Sequence, residues 1–386
     1  MIALPIENQA IREAAFLAKR MLLHKRGRFF GTIIGVAIAF FLATAQFGLL
    51  VGWINTNTAL IRHSGADLWV MAAQAPAFDY GTAISRQRLY QARSIEGVAW
   101  TQPVFMGWNI WQRGDGRRVN VELVGIDRMN AGGPWMMRSA SLDSIRRPNT
   151  VVIDELYLKD LGVHYVGEAF EMIGERAIVG GICSGVRTFT ASPFVFTSVE
   201  QAIRYDKRYR DDEITYVLAG CRAGASIMAV QSEMLRQMAN VEVLTTHEFC
   251  VRSAKYWMLE TGVGITVVIT AFLGLAVATV ITSQTLFAIT HDHLPNYATL
   301  LALGFSRSTL LAIVLIESVA LGAAGVALGS VLFGLACWAS ARTPIPLETT
   351  PLVFAALIAV SFATSLLASI MSFRTVFRVD PITVFR

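Results

Sequence analysis

FFGTIIGVAIAFFLATAQFGLLVGWI, residues 29–54, contains no Asp, Glu, Lys or Arg. A helix needs roughly 20 apolar residues to cross about 30 Å of hydrocarbon, so this stretch is long enough to span a membrane. Three more follow it, Thr261–Thr290, Ser318–Ala341 and Thr349–Phe373, each equally free of formal charge. Composition agrees: mean hydropathy is +0.50, with 54% hydrophobic and 16% charged residues. Soluble domains carry charge at about a quarter of their positions, so lipid must solvate part of this chain. The basic flank Lys19–Arg28 also suits a cleaved signal peptide, but the apolar run outlasts an h-region and lacks a small-residue cleavage site. It reads as a permanent anchor.

Orientation follows from the cations beside the spans, because short basic segments stay on the cytoplasmic side while long domains cross largely regardless of charge. Arg12, Lys19, Arg20, Lys25, Arg26 and Arg28 precede the first span, and Arg374, Arg378 and Arg386 follow the last. Both termini are therefore expected in the cytoplasm, which an even number of crossings satisfies. The expected fold is an α-helical membrane protein with four transmembrane helices plus a large α+β extracytoplasmic domain between helices 1 and 2. Its divisions are 1–28, a cytoplasmic N-terminal segment; 29–54, the first span; 55–257, the outer domain; 258–290, the second span; 291–307, a cytoplasmic loop; 308–341, the third span; 342–349, a short outer loop; 350–373, the fourth span; and 374–386, a cytoplasmic tail.

Within the outer domain, Val119–Gly125 alternates like a strand and Thr150–Asp154 is a β-branched run. Glu155–Leu161 before Gly162, and Ser198–Tyr205, read as short helices. Ala223–Asn240 reads as an amphipathic helix with Ile227, Val230, Met234 and Leu235 on one face, followed by a strand at Val241–Leu244. Ahead of the first span, Ala10, Ile11, Ala14, Leu17, Ala18, Met21 and Leu22 share one helical arc, opposite Arg12, Glu13, Lys19, Arg20 and Arg26. That segregation suits a helix lying on an anionic inner leaflet, with membrane lipid as its partner.

The loop between the second and third spans carries His291-Asp-His-Leu-Pro-Asn-Tyr-Ala-Thr-Leu-Leu-Ala-Leu-Gly304. Pro295 suits a first helical turn and Gly304 the left-handed residue that ends one, so a short helix is expected. A plain surface turn is the alternative, yet reversing direction alone needs few of these apolar residues. A helix held between two spans moves with them and can carry a push from a cytoplasmic partner.

His293-Leu-Pro-Asn-Tyr-Ala-Thr-Leu-Leu-Ala-Leu-Gly-Phe-Ser-Arg307, followed by Glu317, resembles the signature of ABC-transporter permeases of the MacB and FtsX type, closest in pattern to the DevC-like branch. Gly65-Ala-Asp-Leu-Trp-Val70 is similar to the start of that family's periplasmic domain. Thr150–Gly162 with Gly167 resembles a segment within it, and Arg378-Val-Asp-Pro-Ile-Thr-Val-Phe-Arg386 its closing motif. His291-Asp-His293 departs from the more usual Arg and Glu pair. The resemblance implies a bacterial inner-membrane homodimer working with a separate cytoplasmic ABC ATPase. Such a partner would contact His293, Leu294, Asn296, Tyr297, Thr299, Leu300, Leu301, Leu303 and Gly304. A periplasmic membrane-fusion adaptor and an outer-membrane channel often accompany such permeases. Transport of a lipid-like, peptide or drug-like cargo is one implied function. A non-transporting signal transmitter of the FtsX kind, controlling a cell-wall hydrolase, is the other.

Three further features stand out. Glu317 lies about 13 Å along its helix from Ser308, at 1.5 Å per residue, within the hydrocarbon region. A carboxylate there is costly unless paired, protonated or wet, so it is a candidate for a structural role or, less simply, a proton relay. Gly322, Gly325 and Gly329 include a GxxxG pair suited to close helix packing, within the chain or with a second copy. Trp100, Trp108, Trp111 and Trp135 suit either core packing or a recognition surface for apolar cargo. The sequence contains no G-x-x-x-x-G-K-[ST], G-x-S-x-G or H-E-x-x-H, so no catalytic site, cofactor or metal is assigned and ATP is expected to be used by the partner subunit. Two histidines one residue apart, His291 and His293, lack a third ligand. Cys183, Cys221, Cys250 and Cys337 show no CxxC spacing, leaving at most one disulfide in the outer domain. A secondary transporter finds little support, since a single buried acid leaves little room for an ion-coupled site. Nucleic acid is not an expected partner.

Overall fold

The computed structural model describes residue 16 and residues 26–127, 131–190, 192–292 and 294–376. The amphipathic segment expected over residues 10–22 lies outside these, Phe16 excepted, as do His293 and the closing motif from Arg378. The chain divides into two units. One comprises residues 1–51, 266–341 and 347–386, the other residues 52–265 and 342–346.

The first unit is helical. Helix α1, Arg26–Arg62, starts within it and runs on, without a break, past the expected boundary at Ile54. The apolar stretches Phe29–Arg62, Gly264–Gln284 and Arg307–Ser340 are each long enough to cross a membrane, while Pro351–Leu367 belongs to a fourth apolar helix. Lipid explains the helical form: without water, every backbone N–H and C=O must be satisfied inside the segment.

The glycines of the third long helix are contact points within this unit. A Cβ on Gly325 would lie 2.5 Å from a methyl of Val36, and one on Gly329 would lie 2.7 Å from the carbonyl oxygen of Ala37. Gly322 faces Ser365 and Phe362 at ordinary van der Waals distance. The GxxxG pair therefore packs against the first helix of the same chain, where the side chains of Val36 and Phe40 and the carbonyl of Ala37 lie against it.

The second unit is built on a mixed ten-stranded sheet. In chain order the elements are β1 (Leu68–Ala72), β2 (Ile84–Ser85), α2 (Gln87–Ser94), β3 (Val98–Gln112), β4 (Arg118–Ile126), β5 (Met137–Ser139), β6 (Thr150–Asp154), α3 (Leu158–Leu161), β7 (Ala169–Met172), β8 (Glu175–Cys183), β9 (Phe194–Ser198), α4 (Val199–Tyr205), β10 (Glu213–Ile214), β11 (Tyr216–Cys221), α5 (Ile227–Gln237), β12 (Val241–Thr245) and α6 (Thr246–Lys255). The sheet order is β12-β1-β11-β3-β4-β9-β6-β8-β5, with β7 pairing β3 and β8, while β2 and β10 pair separately. Most pairs are antiparallel, but β4 runs parallel to β9 and β6 to β8.

Both faces of this sheet are covered. Leu68, Val70, Val121, Leu123 and Val195 belong to one core, and Trp69, Met71, Val124, Phe196 and Leu218 to another. Alternate residues of a strand point to opposite faces, so β1 and β4 feed both cores at once. The stretches expected as strands form β4, β6 and β12, and Gly162 closes α3 in the left-handed conformation with φ 69°. The amphipathic helix is shorter than its pattern, Ile227–Gln237, with the Ser226 hydroxyl accepting from the amide of Ala229. Its buried face is Val230, Gln231 and Met234, whereas Ile227 and Leu235 are exposed, because Gln231 turns inward to donate to Val243 O and Glu248.

After α6 the backbone opens into a π turn, Tyr256–Glu260, and Gly262 takes φ 76°. Helix α7, Val263–Asp292, begins only there. The remaining helices are α8 (Leu294–Ala302), α9 (Arg307–Ser340) and α10 (Pro351–Val376).

Gly329→Val is expected to destabilise the detergent-solubilised chain by about 1–3 kcal/mol, the usual range for overpacking. Gly334→Val, on the same helix with nothing within 4 Å of its added Cβ, is expected to leave the thermal unfolding midpoint unchanged.

Candidate functional site

Helix α8 carries the candidate site, and its sequence sets its limits. Pro295 occupies the first turn, where a missing N–H costs nothing. At the other end the chain closes in a Schellman turn: Gly304 N–H donates to Leu301 O at 3.0 Å and Phe305 N–H to Leu300 O at 3.1 Å. Gly304 adopts φ 90°, which an L side chain would resist. Two residues later the Ser306 hydroxyl accepts from the Thr309 amide and starts α9. The reversal between α8 and α9 is thus made wholly of local hydrogen bonds.

Packing then locks the two helices together. Tyr297 is fully buried and clusters with Leu310, Ile313 and Val314 of α9, with Leu294, Leu300 and Leu301 around it. The Tyr297 hydroxyl donates to Glu317 Oε2 at 2.9 Å in a buried setting. Burial, with the carboxylate beside it, pushes the phenol's pKa up, so Tyr297 remains the donor. Glu317 is itself 3% exposed. The carboxylate thus reaches back along α9 to the loop helix, meeting one of the structural roles open to it in the sequence.

The outward edge of α8 has the opposite character. Asn296 and Thr299 are exposed, and Leu303 is 70% exposed. The structure therefore divides the expected contact residues. Tyr297, Leu294, Leu300 and Leu301 face α9, while Asn296, Thr299, Leu303 and Gly304 face outward. His293 lies outside the described residues.

The outer unit holds a second arrangement that the sequence did not point to. Asp79, on a 3-10 turn at Phe78–Tyr80, and Glu122, in the middle of β4, are both buried and close enough to act on each other's charge. The Trp257 indole N–H, from the π turn, donates to Asp79 Oδ2 at 2.9 Å. The Thr190 hydroxyl donates to Glu122 Oε1, and the Thr188 hydroxyl reaches the same oxygen at 3.4 Å. Burial pushes the Asp79 carboxyl up to about 6 and Glu122 well above the usual carboxylate range. Of the four tryptophans singled out, Trp111 is core, its indole donating to Leu161 O at 3.0 Å. Trp108 is half-buried and donates to the Asp79 carbonyl at 2.9 Å, and Trp135 stacks on His63.

Two family profiles match in tandem: the MacB-like periplasmic core domain over residues 29–237 and the FtsX-like permease C-terminal domain over residues 268–381. The chain belongs to the MacB/FtsX-type ABC permeases. As such it is a multi-pass membrane protein with an extracytoplasmic α+β domain, and not itself the catalytic subunit. The periplasmic region of MacB from Actinobacillus actinomycetemcomitans shows 10% identity over 47% of this chain and 89% of its own, with a TM-score of 0.37. The extracellular domain of YknZ, a noncanonic ABC-type transporter from Gram-positive bacteria, gives 11%, 46%, 98% and 0.34 for the same quantities. A domain of a putative permease from Porphyromonas gingivalis gives 12%, 47%, 90% and 0.34. No curated protein sequence matches the chain.

Tyr297→Phe removes the donor to Glu317 while keeping the ring. It is expected to cost about 1–3 kcal/mol, the range for stranding a buried hydrogen-bonded acid, read as a lowered unfolding midpoint of the purified chain. Glu317→Gln, which keeps an acceptor for the phenol, is expected to cost less.

Proposed function

We propose that this permease is the transmembrane subunit of an ABC exporter, carrying ATP-driven motion of a separate cytoplasmic ATPase to the outer domain. In this reading α10 is a fourth span, and the basic flanks then put both termini and α8 on the cytoplasmic side. The observation that carries the reading is the buried Tyr297–Glu317 hydrogen bond inside the α8–α9 cluster. It makes the loop helix a rigid extension of α9 instead of a flexible linker.

The path of force follows from the contacts. An ATPase closing on Asn296, Thr299 and Leu303 pushes α8, which is fixed to α9. Helix α9 meets α1 where Val36, Ala37 and Phe40 lie against Gly325 and Gly329. Helix α1 is continuous from Arg26 to Arg62, so tilting it displaces the chain that enters the outer unit. The MacB-like region supports handling of cargo at that outer domain. A homodimer with two ATPases, and an adaptor with an outer-membrane channel, complete the assembly. A non-transporting transmitter that controls a cell-wall hydrolase is the alternative reading of the same architecture.

Leu303→Asp or Thr299→Pro is expected to abolish stimulation of the co-purified ATPase by the permease while the chain still folds and inserts. Undiminished stimulation in both variants overturns the scheme. In a background lacking Cys183, Cys221, Cys250 and Cys337, a cysteine at Asn296 is expected to react with impermeant maleimide only in inverted vesicles. Loss of the gene should leave an amphiphilic compound trapped in the cell, whereas a septation defect without such accumulation would favour signalling.

A further inference from the structure

We propose that Asp79 and Glu122 share one proton and form a clasp, released as that proton is lost, which fastens the π turn Tyr256–Glu260 to the sheet of the outer unit. The inference goes beyond the transport reading and does not need it, because every group involved lies in the outer unit.

Donor accounting is the first argument. Two ionised carboxylates side by side in a protein interior repel each other, and both lose hydration. The donors present do not compensate this. Glu122 Oε1 takes the Thr190 and Thr188 hydroxyls and Asp79 Oδ2 takes the Trp257 indole, but no donor reaches the buried Glu122 Oε2. A proton on Glu122, donated across to Asp79, satisfies that oxygen and removes the repulsion together. Asp79 then remains the acceptor for Trp257, so the shared proton also secures the indole bond.

The neighbouring groups are the second argument. Facing the pair are Trp257 from the π turn, Thr188 and Thr190 from the segment before β9, Tyr80 from the 3-10 turn, Tyr157 from the turn after β6 and Tyr216 from β11. Of the cations nearby, Arg187 acts on Asp154 and Tyr157, and Arg208, which lines a cleft with Asp79 and Tyr209, pairs with Asp206 at 2.7 Å. Burial, neutral donors and the partner carboxyl act on the charge state of the pair, and a proton takes the part of a counter-ion.

Position gives the clasp its consequence. Trp257 packs with Trp53 and Ala77, and its ring lies 4.6 Å from that of Phe189, which in turn lies 5.5 Å from Trp53. Trp53 belongs to α1 and the π turn leads into α7, so one aromatic cluster gathers both helix-bearing segments of the outer unit. Its polar anchor is the acid pair. The rare π geometry and the left-handed Gly262 immediately after it make this the natural place for the backbone to give.

The sign follows from linkage. In the fastened state the pair binds its protons more tightly than ordinary carboxyls do, with Asp79 near 6 and Glu122 higher. Once opened to water both return to values near 4. The clasp is therefore fully stabilised below about pH 4, loses stability as pH rises through the Asp79 range, and goes on losing it until Glu122 ionises. Each proton released makes opening up to tenfold more favourable per pH unit.

The test uses the full-length permease in lipid nanodiscs. Amide hydrogen exchange over residues 256–262, corrected for the intrinsic pH dependence, is followed by mass spectrometry from pH 6 to 8. Exchange in the wild type is expected to rise up to tenfold per unit beyond the intrinsic rate. Glu122→Gln, a permanent donor to Asp79, is expected to abolish that excess, and infrared spectroscopy at pH 7 to show a protonated-carboxyl band that this variant lacks. Should Glu122→Gln fail to fold, Asp79→Asn combined with Glu122→Gln, which leaves no carboxyl in the pair, supplies the contrast. An excess that persists in the neutral variant, no excess in the wild type, or an infrared band unchanged by Glu122→Gln overturns the clasp.

Discussion

A carboxylate cannot be left bare inside a helix that lipid surrounds, and that constraint organises the helical unit. Glu317 sits ten positions into α9, where an unsolvated charge costs several kcal/mol. Its partner comes from a segment that turns back across α9 to bring Tyr297 within 2.9 Å. Without the acid, nothing polar would require α8 to press against α9, and without α8 the acid would lack this donor. The hydrophobic cluster around Tyr297 supplies most of the contact area, whereas the hydrogen bond fixes which turn of α8 faces inward. Burial is non-directional, so register has to come from the polar pair.

The stiffness that mechanical transmission needs is distributed unevenly. Helix α1 crosses into the outer unit without interruption, so it transmits displacement along its axis. The return path differs: between α6 and α7 the backbone passes through a π turn and a left-handed glycine, a geometry that bends before it pushes. At Gly325 and Gly329 α9 presents no side chain of its own, so Val36 and Phe40 of α1 lie directly against its backbone.

How much of this could be read from residues alone depends on whether the signal was local. Pro295 and Gly304 bound α8 by backbone chemistry that acts within one turn, and both are plain in the sequence. The capping box at Thr245 and Glu248 is similarly local. The long strand β3 is hidden, because Gln102, Pro103, Gly107 and Asn109 interrupt its pattern. Tertiary contacts hold the polar ones, as when the Gln102 amide donates to Ala131 O and the Asn109 amide to Tyr205 O. Glu122 is concealed by its own alternation: Val119, Val121 and Leu123 suggest that residues 120, 122 and 124 face water, whereas the sheet is covered on both sides and Val124 is as buried as Leu123. Tyr297 and Glu317 each stood out for separate reasons, but nothing local could pair residues on two helices joined through a reversing turn.

The two buried acid sites share a chemistry that says what sort of joints they are. In each, a neutral aromatic donor holds the carboxyl: the phenol of Tyr297 at Glu317 and the indole of Trp257 at Asp79. A lysine or arginine in either place would form a stronger pair, but it would bring a second desolvated charge and a cost that often exceeds the gain. Neutral donors hold more weakly and are insensitive to salt, since no exposed ion pair is there to screen. A buried ion pair in either place would, if broken, leave two stranded charges, which a neutral donor does not. In the outer unit the second carboxyl adds a feature the α8–α9 joint does not share: its strength is set by a proton and so by the water outside the membrane.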